Sequence, residues 1–244
     1  MIKYLDNLNQ TSFKLYRDIA DTISRYYPKG NHPFDENYSK SQEIMGAFDI
    51  IYKNIGTPKQ KTGSLAKLWR SLLKEIKGNS LSEIEGTTFG FCPGFSADMI
   101  LEKYEDKSLI RIKRIAFAVS MLGPFYSICG IDETIIKADE KFYHAINVVT
   151  VSPYKELEST FNLIKGAIEK IYPEYAFLPF DTCMLRVKDT YSLNSLGEED
   201  TVYSFLFNHL FRYYTHHYSR GNRRFGYLEN PNIKVTLTAP PPTD

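Results

Sequence analysis

Cysteine is scarce in this chain of 244 residues. Cys92, Cys129 and Cys183 lie far apart, and an odd count without close spacing makes neither a disulfide framework nor a zinc-ribbon pattern. Reduced thiols in a cytoplasmic protein are the expectation. Net charge is also lacking: 30 basic residues face 29 acidic ones, so no global field draws the protein onto a polyanion, and a nucleic-acid or membrane role would need a local patch. The longest uncharged run, Ile115 to Ile131, is broken by Gly123-Pro124 and is shorter than the roughly 20 residues of a spanning helix. The N-terminal stretch carries charges every few residues and has no secretory-signal pattern. Neither G-x-G-x-x-G nor G-x-x-x-x-G-K-[ST] occurs, which removes the usual phosphate cradles, and no G-x-S-x-G presents a serine nucleophile.

What is present is an ordinary apolar fraction of 43%, enough for a continuous core, and a 14% aromatic share dominated by 18 tyrosines and 16 phenylalanines. The first third reads as helical. Phe13, Tyr16, Ile19, Ala20, Ile23 and Tyr26 repeat with helical period before Pro28-Lys29-Gly30; Ile44, Phe48, Ile51 and Ile55 form a second stripe. A third runs from Leu65 to Ile76, with Ser64 as the expected N-cap and Gly78 as the stop.

The glycine- and aromatic-rich TTFGFCPGF, residues 87 to 95, predicts a strand or loop, and Asp98 to Tyr104 a helical turn or two. From Leu109 the period shortens toward two, with a change of inward parity near Arg114 that calls for a bulge there. Leu122-Gly123-Pro124 interrupts the run and Phe125 to Ile136 resumes it, a central β-hairpin. After the charged turn KADEK, the apolar FYHAINVVTVS predicts an interior strand. A helix opens at Pro153 and stops at Tyr172-Pro173, a strand follows around Thr182 to Val187, and a last helix carries Val202, Phe205, Leu206, His209, Leu210 and Tyr213.

That order predicts an α+β fold, with a helical N-terminal third and a mostly antiparallel sheet with a central hairpin, packed by helices. One domain is expected over 1–244: a helical part at 1–80, the sheet with its covering helices at 81–220, and an extended, partly disordered tail at 221–244.

Candidate chemistry is sparse. His209 stands seven or eight residues from His216 and His217, whereas chelation along a helix needs spacings of three or four, so these histidines suit a helix end, stopped at Gly221, and no metal site is expected. Arg220, Arg223 and Arg224 with Phe225 and Tyr227 have the composition of a partner-binding surface, where arginine and tyrosine supply hot spots, and also that of a single-strand nucleic-acid contact. Cys92 sits in a glycine-rich loop with nothing nearby in sequence to lower its pKa; Cys129 and Cys183 read as small core residues. Asp132 and Glu133 face opposite sides of a strand, so they do not converge, but either one could meet His144 from the next strand and make a hydrolase or nuclease.

The block SLIRIKRIAFAVSMLGPFYSICGIDETII, then HAINVVTVSPYKELESTFNLIKGAIEKIYPEYAFLP, then T-V-Y-S-F-L-F opening a last helix, resembles small bacterial immunity-type proteins paired with contact-dependent or secreted toxins. The likeness spans about residues 108 to 210 and lies in the order of hairpin, strand, long helix and last helix. It implies a cytoplasmic, non-enzymatic protein-binding module that neutralises a cognate toxin by occlusion, without a cofactor. The segment Arg220, Arg223, Arg224, Phe225 and Tyr227 is the expected contact surface. A hydrolase or nuclease built on His144 with Asp132 or Glu133, and a nucleic-acid-associated protein, are the alternatives.

Overall fold

The computed structural model describes residues 4–5, 14–55, 63–80, 82–88, 92–193, 195, 199–211 and 218–226. Among these the chain forms α1 (Lys14–Tyr26), α2 (Gln42–Ile55) and α3 (Ser64–Gly78), then β1 (Glu83–Gly86), β2 (Gly94–Glu105), β3 (Leu109–Ser120), β4 (Phe125–Ala138) and β5 (Lys141–Thr150). A 3-10 turn at Lys155–Leu157 leads into α4 (Glu158–Ile171), followed by β6 (Ala176–Phe177), α5 (Phe180–Cys183), α6 (Val202–Leu206) and β7 (Tyr218–Arg220). The fold is α+β. Its open seven-stranded sheet runs β1-β2-β3-β4-β5-β7, with β6 beside β4; only β6 and β7 pair in parallel.

The helical third follows the apolar stripes, which bury Ile19 and Ile23 of α1, Ile44 and Ile51 of α2, and Trp69, Leu72 and Ile76 of α3. Ser64 is the first helical residue of α3 and not its cap; Gly63 takes that position, because a Cβ there would lie 2.6 Å from the Lys53 carbonyl and the Asn54 side chain at the end of α2.

Each sheet face is helix-covered over only half its length. On one side Trp69 stacks on Phe95 at 5.6 Å and tilts onto Phe117, and the Tyr126 hydroxyl donates to Glu169 of α4 at 2.8 Å. There Leu157 presses so closely on Gly130 that no side chain fits between them. On the other side the Cys183 thiol of α5 reaches the Ser127 hydroxyl at 3.6 Å, Tyr203 of α6 is buried, and the hydroxyl of Tyr27, the residue after α1, donates to the Phe205 carbonyl of α6.

The outer halves of β2 to β5 run past these helices as a blade. Consequently β2 is buried on both faces through Met99 and exposed on both from Glu102, and β3 changes likewise after Arg114. This burial pattern explains several differences from the sequence reading. Asp98 to Tyr104 is strand, not helix; its period-two signal vanishes because both faces are covered and then neither is. Beside Arg114, β3 itself runs without a break against β4, and the extra residues lie in its neighbourhood, Leu101 in β2 and Asn147 in β5. The segment Phe142 to Ser152 is interior only at its end, since Lys141 to Ala145 are exposed.

Thr182 to Val187 is no strand: Thr182 and Cys183 end α5, and Arg186 makes isolated bridges to Tyr4 and Thr201. The last helix stops at Leu206, because the Phe207 carbonyl turns to accept from Gly94 N–H and the Asn208 side chain captures the Leu210 N–H. Arg220 therefore lies on a strand and Gly221 ends no helix. His216, His217 and Tyr227 lie outside the described residues.

Candidate functional site on the sheet blade

Side chains alternate across the blade, so its two faces carry different chemistry. One may be called the histidine face. Strand pairing places Asp98, Arg114, Glu133 and His144 there, contributed in turn by β2, β3, β4 and β5. Arg114 Nε is 3.3 Å from Asp98 Oδ2, and its Nη2 is 2.8 Å from Glu133 Oε2. Glu133 Oε1 lies 2.9 Å from His144 Nδ1. Both carboxylates are buried, whereas the His144 side chain is 44% exposed. Burial pushes the Asp98 carboxyl up to about 6 against the opposing pull of Arg114, with Glu133 adding to the rise.

The sequence expectation that His144 could meet a carboxylate is thus met by Glu133 alone. Asp132 faces the other way, as the alternation of a strand requires. Neither Asp98 nor Arg114 was singled out from the sequence. Asp98 is a lone acid between apolar residues and Arg114 the last base before an apolar run, and only the strand register brings the two together.

The second face holds a groove of about 740 Å³ lined by Glu102, Tyr104, Arg111, Lys113, Asp132 and Asn147 among others. Lys113 is paired with Glu102 at 3.2 Å and Glu156 at 3.6 Å, and Arg220 with Glu156 at 2.7 Å and Asp132 at 3.7 Å. Partial burial works against the Lys113 charge, yet the hydrogen bond to Glu102 and the surrounding carboxylates lift its pKa above the usual lysine value. Glu156 is held down to about 2, first by its own backbone N–H and then by Arg220. Asp132 is raised by burial in spite of Arg220 and Lys113, and its Oδ1 accepts no hydrogen bond among the described residues.

The predicted partner segment divides in two. Arg220 is built into the fold: its Nε donates to Thr150 Oγ1 at 2.7 Å while the guanidinium clamps Glu156. Phe225 packs edge-on against Phe161 and Phe177. Arg223 and Arg224 are exposed, the former 3.1 Å from Asp181.

The three cysteines are buried and free of disulfides. Burial raises the Cys129 thiol strongly and pushes Cys183 up to about 12, so both are protonated core residues. His209 is half-buried just beyond α6. Among the described residues no three His, Cys, Asp or Glu side chains are grouped so as to hold a metal ion, and no helix is long and apolar enough to cross a membrane.

The fold and the blade together define an α+β protein whose sheet projects beyond its helical cover. Comparison of the chain with protein-family models, curated proteins and solved structures finds no match.

Proposed function

We propose that this chain is a non-enzymatic protein-binding module of the immunity type, which neutralises a cognate bacterial toxin in the cytoplasm by covering a surface the toxin needs. The observation that supports this most is the blade: Tyr104, Ile136 and Tyr143 are each at least half exposed on its groove face, and Phe142 is exposed on the histidine face. Large apolar side chains gathered in one region of a surface mark contact sites, and a stable interface needs about 800 Å² from each partner. Exposed Arg223 and Arg224 add cations of the kind found at interface hot spots.

The test is copurification of the tagged chain from its host beside a Phe142→Asp/Tyr143→Asp variant that keeps its circular dichroism. The expected partner is retained by the wild type, lost by the variant, and arrests growth when expressed without this chain. A partner held equally by both proteins, or one harmless by itself, removes the reading.

A second reading, a hydrolase or nuclease, is favoured by the Glu133–His144 contact, since a carboxylate that orients an exposed imidazole is the arrangement of a general base. Against it, Arg114 already pairs with Glu133, and His144 does not line the groove, although Glu133 does. Hydrolysis of a nucleic-acid or ester substrate that disappears in His144→Ala would restore it. The nucleic-acid-associated alternative loses two of its contacts, because Arg220 and Phe225 are engaged within the protein.

A further inference from the structure

We infer that the outer half of β5, from Phe142 to Ile146, is an open sheet edge that takes an extended segment of a protein partner as an added strand. This inference rests on the protein-binding reading and gives it a mode of contact.

The hairpin fixes which backbone groups are free. Its two-residue turn at Asp139 and Glu140 makes Ala138 and Lys141 a hydrogen-bonded pair, and alternation along the ladder then turns the backbone groups of Lys141, Tyr143 and Ala145 toward β4. Lys137 has the matching parity: its N–H donates to the Ser108 carbonyl on the β3 side, and not to Phe142 opposite it. The N–H and C=O of Phe142, His144 and Ile146 therefore point away from the sheet. Beyond the extra residue Asn147 the same edge is already filled by a strand, since β7 pairs from Val148 onward and the Val151 N–H donates to the Arg220 carbonyl at 3.0 Å. Among the described residues no strand lies beside Lys141 to Asn147, and Lys141 to Ala145 are all exposed.

The two free edges of the blade differ in their protection. Beyond Ile100, where pairing with β1 ends, β2 carries Glu102, Lys103 and Glu105, and charges of this kind blunt an edge against further strands. From Phe142 to Asn147, β5 carries no lysine, arginine or carboxylate. Instead Phe142 is 62% exposed on one face and Tyr143 52% on the other, so a strand laid along this edge covers part of both rings. Outward N–H and C=O groups repeating every two residues, about 7 Å apart, are matched by another extended backbone and not by a helix, whose own groups are bonded internally. The occupant is thus a strand with β-branched or aromatic residues beside Phe142 and Tyr143 and no proline where it pairs.

The test selects peptides from a displayed random library on the immobilised full chain, then measures their affinity for His144→Ala and His144→Pro. Both variants lose the imidazole, but only proline removes the outward N–H, and at this position it takes no bond from β4, so the two should share one circular dichroism spectrum. Selected peptides should bind His144→Pro at least about tenfold more weakly than His144→Ala. N-methylation of a selected peptide, one residue at a time, should weaken binding to the wild-type chain at alternate residues only, a readout that needs no variant to fold. Equal affinity for the two variants, N-methyl effects without that alternation, or a library that yields no binder overturns the inference. Dimerisation of the wild-type chain that disappears in His144→Pro would put a second copy on the edge and overturn the assignment to a different protein. A host partner lost by Phe142→Asp/Tyr143→Asp but held fully by His144→Pro also overturns it, while leaving the protein-binding reading in place.

Discussion

Glu133 and His144, eleven residues apart in sequence, meet across the β4–β5 pair with Oε1 2.9 Å from Nδ1, and the other Glu133 oxygen faces Arg114. One buried carboxylate is thus shared between a guanidinium and an imidazole. The two partners are not equivalent, because Arg114 is nearly buried and His144 is open to water. Glu133→Ala should cost roughly 1–3 kcal/mol by removing the nearer of the two carboxylates paired with Arg114, Asp98 remaining at 3.3 Å, while His144→Ala, at an exposed site, should cost less than about 1 kcal/mol. Urea titrations of the two variants check this; equal losses would contradict it.

Asp98 predicts a pH dependence of unusual sign. Its folded pKa of about 6 lies above the unfolded value, so the folded protein holds this proton the more tightly. The stability it contributes is complete below about pH 4 and is lost as pH rises through about 6, by up to roughly 3 kcal/mol. Unfolding free energies of wild type and Asp98→Asn at pH 4 and 7.5 should move in favour of the variant at the higher pH. Movement toward the wild type would mean that Arg114 outweighs burial.

The hairpin turn between β4 and β5 places two ordinary residues in the left-handed region, Asp139 at φ 50° and Glu140 at φ 62°. A two-residue hairpin of this shape favours Asn-Gly, so Asp139→Asn/Glu140→Gly should gain roughly 1 kcal/mol. Thermal unfolding should show a higher midpoint with no change in the circular dichroism of the sheet.

The arginines near the end of the described chain should separate by role. Arg220→Ala removes hydrogen bonds to Thr150 and Glu156 and should cost roughly 1–3 kcal/mol. Arg224→Ala, fully on the surface, should stay within about 0.5 kcal/mol of the wild type. Charge reversal at Arg223 and Arg224 together should weaken partner binding in a titration while the fold persists; full affinity in that double variant would exclude them from the interface.

Much of the fold was legible where a stretch has one wet and one dry side. The stripes of α1 to α3 and α4 show this, as does the hairpin break at Leu122-Gly123-Pro124. Reading failed where that contrast disappears. β2 from Gly94 to Met99 is dry on both sides, and Val202 to Asn208 is buried all round, so neither displays a period that distinguishes strand, helix and turn. His144 could be matched to a carboxylate from adjacent strands, but the choice of Glu133 over Asp132 required the register.

The order of side chains alone determined the α+β class, the central antiparallel hairpin and the amphipathic helices, because these depend on contacts between residues close along the chain. Tertiary structure decided where the helical cover stops. That boundary turns equal stretches of strand into core on one side and blade on the other, brings Asp98 and Arg114 to Glu133, draws Arg220 inward and leaves Arg111 exposed. Burial and pairing of this kind join residues distant in sequence, and their free energies depend on distances that exist only after the layers have packed.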